Sequence, residues 1–71
     1  MYTESVRNTN GREVAAIEWG GHWATISYVT YGAWRSVDIQ HLGRPRVVYA
    51  ALARILSAQT DQALDNYRGR S

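Results

Sequence analysis

From Glu13 to His41 apolar and polar residues alternate, and glycine-containing pairs punctuate the first half of the chain: Asn10-Gly11, Gly20-Gly21 and Gly32-Ala33. A period of two marks strands with one buried face, and two-residue turns with glycine where φ must be positive join such strands into hairpins. The segments between the turns, 13–19, 22–31 and 34–41, are rich in Val, Ile, Thr, Tyr and Trp, which suit a pleated, half-buried surface. The pattern predicts an antiparallel meander. Residues 2–7 predict a further edge strand, with the oddity that Val6 and the acid Glu4 would share one face.

Turns fix register, and register sorts side chains by face. A Gly20-Gly21 turn pairs Trp19 with His22, Ile17 with Ala24 and Ala15 with Ile26; a Gly32-Ala33 turn pairs Tyr31 with Trp34, Tyr28 with Val37 and Ile26 with Ile39. Set independently, both hairpins put Ala15, Ile17, Trp19, Ala24, Ile26, Tyr28, Val37 and Ile39 on one face. The other face receives Val14, Ala16, Glu18, Trp23, Thr25, Ser27, Val29, Tyr31, Trp34, Ser36, Asp38 and Gln40, with Glu18 across from Trp23.

After Pro45 the period changes. Ten of the thirteen residues 46–58 are apolar without strand punctuation, and proline suits the first helical position. A helix over 45–67 places Val48, Leu52, Ile55 and Leu56 in one stripe, extended by Ala63 and Tyr67, with Ala50, Arg54, Ser57 and Asp61 opposite; a restart at Thr60 is the alternative. The stripe is expected to cover the apolar face of the sheet. The fold class is therefore α+β: a meander of three or four strands packed on one long C-terminal helix.

Composition narrows the picture further. With 71 residues, 45% apolar and 20% charged, the chain is a single small domain. At this length a fold buries only about 60% of its unfolded surface, so contact with a second copy would be a useful supplement, and a homodimer is expected. The chain has no cysteine, so disulfides and thiolate zinc sites are out. The apolar run 47–53 is too short to cross a bilayer and residues 1–11 are polar, which favours a cytoplasmic protein and no membrane partner. The net charge of +2 is too mild to announce nucleic acid, although all eight cations are arginine, the residue suited to bidentate contacts.

Two surfaces carry candidate chemistry. On the outer sheet face Trp23, Val29, Tyr31 and Trp34 surround a small polar middle whose charges are Glu18 and Asp38. Aromatics so placed anchor protein interfaces, whereas a single-strand platform would need a cationic track as well. The second surface is the entry to the helix, where His22, His41, Arg44 and Arg46 gather at a positive dipole end and form a candidate anion site. Gly43-Arg44-Pro45-Arg46 resembles the four-residue core of the AT-hook, which implies minor-groove contact by an extended segment; here Leu42 precedes it and Val47-Val48 opens a helix. Two histidines without a third ligand make no zinc site, and no oriented nucleophile and base appear, so no metal, cofactor or catalytic residue is assigned.

The resulting expectation is a non-enzymatic protein-binding module docking through its aromatic sheet face. In size it suits the phage or plasmid accessory proteins that inhibit a host protein in a bacterial cytoplasm. The alternative is a small DNA- or RNA-binding module that uses Arg44 and Arg46.

Overall fold

A computed structural model describes the backbone of residues 2–68 and the side chains of residues 2–59. Strands β1 (Tyr2–Arg7), β2 (Glu13–Trp19), β3 (Trp23–Thr30) and β4 (Ala33–Gln40) form one sheet in the order β1-β2-β3-β4, and the helix α1 (Pro45–Arg68) follows. Every neighbouring pair is antiparallel, so the fold is an α+β meander of four strands with one helix. The helix runs without interruption past Thr60. Ala63, Tyr67 and Asp61, assigned to helix faces above, lie outside the described side chains.

The faces are those expected, although each hairpin closes one step away from its predicted position. Trp19 pairs with Ala24, not His22, because the two-residue turn is Gly21-His22 and Gly20 closes it by donating its N–H to the carbonyl of Trp23 at 2.8 Å. A Cβ at Gly20 would stand 2.7 Å from that carbonyl oxygen, so only glycine fits the closing position. Thr30 pairs with Ala33, and the turn is Tyr31-Gly32 with φ of 51° and 76°, positive at both central positions as a type I′ turn requires. A slide of two residues leaves every side chain on its original face, which is why the sorting survives.

The first hairpin departs further. Its turn is centred on Thr9-Asn10, with Gly11 N–H donating to Asn8 O at 2.9 Å and Gly11 following at φ 80°. Asn8 Oδ1 accepts the N–H groups of Asn10 and Arg12, both at 3.0 Å, and so satisfies the loop backbone. The pairing passes from Val6–Ala15 to Arg7–Glu13, leaving Val14 as an extra residue in β2. Such a bulge increases the local twist.

The core lies between the sheet and α1. Ala15, Ile17, Trp19, Ala24, Ile26, Val48 and Leu52 are buried, with Val6, Tyr28, Val37, Ile39, Ala51, Ile55 and Leu56 packed at its margins. Each fully buried Ile or Val contributes roughly 1.5–3 kcal/mol. The helix rests on β3 and β4, and Gln59 Nε2 donates to the carbonyl of Val29 near the far end of β3. Among the described residues nothing covers the opposite face.

Candidate functional site

The uncovered face is built in cross-strand rows. At one end Trp23 lies opposite Gln40, and at the other Trp34 lies opposite Val29. Val29 lies six positions along β3 from Trp23, so the indoles stand about 20 Å apart along the strands. Both are half exposed, at 51% and 56%. Between them runs Thr3–Glu18–Thr25–Asp38, in which Thr25 Oγ1 donates to Asp38 Oδ1 at 2.7 Å, and then Ser5–Ala16–Ser27–Ser36.

Three details differ from the reading of the sequence. Glu18 faces Thr25, so it is not the partner of Trp23. Tyr31 is not paired with Trp34; it occupies the turn itself, 74% exposed. Because β1 is present, Arg7 also belongs to this face, at the corner beside Glu13, where its Nη1 donates to Gly11 O at 2.8 Å. The middle rows carry Glu18 and Asp38 and no cation.

The helix entry separates the four residues grouped there. His41 is buried, and Gly43 N–H donates to its Nδ1 at 3.0 Å. That fixes Nδ1 as the bare nitrogen and leaves Nε2 to donate to Gly20 O at 3.3 Å. The ring also meets Trp19 edge-on at 5.6 Å. His41 is thus a clamp holding the two loops at this end together and has no ring nitrogen to offer an anion. His22 is exposed, and its carbonyl accepts the N–H groups of His41 and Leu42. Arg44 and Arg46 are exposed at a helix start with no acid in its first turn. The Gly43-Arg44-Pro45-Arg46 string is held in a turn and the first helical turn, with Arg44 N–H donating to His41 O and Val47 N–H to Arg44 O.

A polar constellation not foreseen from sequence lies on the helix side. Glu4 Oε1 accepts from Trp19 Nε1 at 3.2 Å and from Tyr49 OH at 2.8 Å. Tyr2 stacks on Trp19 at 6.2 Å, and Tyr49 meets it at 5.5 Å. The hydrogen bond to Glu4, then desolvation and the carboxylate's charge, hold the Tyr49 phenol above its ordinary pKa. The signal was present: an acid on an apolar face needs donors, and Trp19 and Tyr49 were the polar-tipped aromatics able to reach it. The arrangement joins β1 to β2 and α1.

Two open clefts flank the turn end of β3. One of about 320 Å³ is lined by Tyr28, Tyr31, Arg35 and Ile55, and one of about 350 Å³ by Asn8, Arg12, Glu13 and Val29. Neither sets a nucleophile beside a base, and among the described residues no three His, Asp or Glu side chains gather as metal ligands. Among these residues no helix is long and apolar enough to cross a membrane. No family model, curated protein or solved structure matches the chain.

Proposed function

We propose that this chain is a non-enzymatic protein-binding module that docks through the uncovered face of its sheet. The observation that carries the reading is the pair of half-exposed indoles, Trp23 and Trp34, at the ends of a face that the helix leaves open. Val29 enlarges the apolar contact beside Trp34 and Tyr31 stands exposed in the adjoining turn, while Glu18 and Asp38 suit a partner with basic or neutral polar groups opposite the middle. Trp and Tyr bury large area at small entropic cost, and exposed apolar groups clustered on one face are what such docking uses. In its finer form the reading is an inhibitor of a host protein, carried by a phage or plasmid and acting in the bacterial cytoplasm; the chain's small size supports that form.

The test is capture from the native host with wild type and with the double substitution Trp23→Ser, Trp34→Ser. Wild type should retain a protein partner that the double variant loses while keeping its circular dichroism spectrum. Equal retention by both would defeat the reading. Submicromolar affinity for random duplex DNA at about 150 mM salt, falling steeply as salt rises, would replace it with nucleic-acid binding through Arg44 and Arg46.

A further inference from the structure

The outer edge of β4 carries a regular row of unused hydrogen-bonding groups. The Tyr31-Gly32 turn makes Thr30 and Ala33 a hydrogen-bonded pair, so odd-numbered residues of β4 turn their N–H and C=O toward β3. His41 continues that series, its N–H donating to His22 O at 2.8 Å. The N–H and C=O groups of Trp34, Ser36, Asp38 and Gln40 therefore point away from the sheet. This edge has no proline and no bulge, and its pairing with β3 is continuous for all eight residues. Long, regular edges of this kind invite another strand.

We propose that the chain forms a two-fold dimer in which β4 pairs antiparallel with β4 of a second copy, Val37 facing Val37. The result is one eight-stranded sheet. In this register Trp34 faces the partner's Gln40, Ser36 the partner's Asp38, and Arg35 the partner's Ile39, so no like charges meet. Four outward-facing residues on each strand, with two groups apiece, then close eight hydrogen bonds. Sliding two residues one way sets Asp38 against its own copy, which is repulsive. Sliding two the other way sets Ser36 against itself and leaves Gln40 beyond the matched row.

The helix favours the same edge. It rests on β3 and β4, and strands lie about 4.8 Å apart, so pairing two β4 strands sets the two helices about 10 Å apart, the spacing of packed helices. Tyr49 leans toward β1 through its bond to Glu4. At 100° per residue the flank facing the partner helix is then Val47, Ala51 and Ala58, with Arg54 at its solvent-side margin; Val47 is 42% exposed, and Arg54 and Ala58 are exposed. The small side chains of Ala51 and Ala58 permit the approach, and Arg54 lies on the side of the flank away from the sheet. The β1 edge has only six residues, adjoins the bulge at Val14 and has no helix resting on its strand. Joining β4 to β1 of another copy would leave open edges and grow without closing.

The dimer stands on backbone and register and does not depend on the docking reading, but it alters the docking surface. Trp34 faces the partner's Gln40, which in turn faces the partner's Trp23. Indoles about 20 Å apart along one chain thus gain a counterpart two strands away, about 10 Å, across the junction. The assembled face presents two such tryptophan pairs.

Sedimentation equilibrium at micromolar concentration should give 16.0 kDa, twice the chain mass of 8.0 kDa. Ser36→Pro removes an outward N–H without touching the bonds to β3 and should restore 8.0 kDa with strand content intact. Ser5→Pro, the matching change on β1, should leave the dimer whole. Because the chain has no cysteine, single replacements read the register. Val37→Cys places facing Cα atoms about 4.5 Å apart and should form an intermolecular disulfide readily, whereas Ser36→Cys places them beyond about 7 Å and should not. A wild-type mass of 8.0 kDa throughout, dissociation by Ser5→Pro in place of Ser36→Pro, or faster cross-linking through Cys at 36 would each overturn the proposal. Should Ser36→Pro fail to fold, the cysteine pair decides. Partner capture by the tryptophan variants bears on docking alone.

Discussion

Replacing Glu4 tests how an acid is accommodated on the apolar side of the sheet. Its Oε1 accepts from Trp19 Nε1 and Tyr49 OH, and Trp19 is only 7% exposed. A hydrogen bond to a charged acceptor contributes about 1.5–3 kcal/mol, and the 3.2 Å bond from Trp19 belongs at the weak end of that range. Glu4→Ala leaves the indole N–H with little access to water and should cost about 2–3 kcal/mol. Glu4→Gln keeps a carbonyl acceptor and should cost about 1 kcal/mol. A domain of this size has roughly 4–10 kcal/mol in all, so Glu4→Ala should lower Tm by about 10–20 °C. Urea and thermal unfolding, followed by circular dichroism at one fixed protein concentration, measure both variants. In the Glu4→Ala background, Tyr49→Phe should cost almost nothing further, because its partner has already gone. Glu4→Ala within about 0.5 kcal/mol of wild type, or Glu4→Gln as damaging as Glu4→Ala, would refute this reasoning.

Four further outcomes follow from the geometry. The Tyr49 phenol donates only while protonated, and its folded pKa is raised, so the bond's contribution is complete below pH about 10 and is lost as pH climbs through the folded value; Tyr49→Phe should flatten the alkaline loss of stability in a pH series of urea melts. Leu42 sits 63% exposed at φ 50°, so Leu42→Gly should be neutral or stabilising by up to about 1 kcal/mol and Leu42→Ile destabilising, as read by Tm. Ile26 is fully buried, and Ile26→Ala should cost about 2–5 kcal/mol against less than about 1 for Trp23→Ser, both read from urea midpoints. Gly20→Ala should cost about 1 kcal/mol or more, as read by Tm, because its Cβ would meet the backbone oxygen of Trp23, which cannot swing aside as the end of a flexible side chain could.

The inner and outer faces were legible because strand alternation has a period of two, and displacement of the hairpin register by two residues preserves it. The register itself was not. Gly20-Gly21-His22 admits two turn centres, because glycine at both 20 and 21 suits either; the chain adopts the one in which Gly20 closes the turn against the carbonyl of Trp23. Likewise, a turn at Gly32-Ala33 would need positive φ at glycine alone, whereas the chain turns at Tyr31-Gly32 and holds Tyr31 in the left-handed region, which costs energy for a residue with a Cβ. The bulge at Val14 left no trace in the pattern, since Val suits either face. At the helix entry, residue types suggested an anion site, and burial then assigned His41 to holding loops together. The glutamate on the apolar face looked like a flaw in β1, whereas it is the acceptor for two aromatic donors.

The fold thus divides its tryptophans by role: Trp19 is sealed beneath the helix, while Trp23 and Trp34 face outward at opposite ends of the open face. Acrylamide quenching of single-tryptophan variants, with and without the captured partner, addresses that division directly. The docking account predicts that Trp23 and Trp34 quench readily in the free protein and become shielded in the complex, with Trp19 protected in both. Unchanged access at Trp23 and Trp34 when the partner is bound would contradict it.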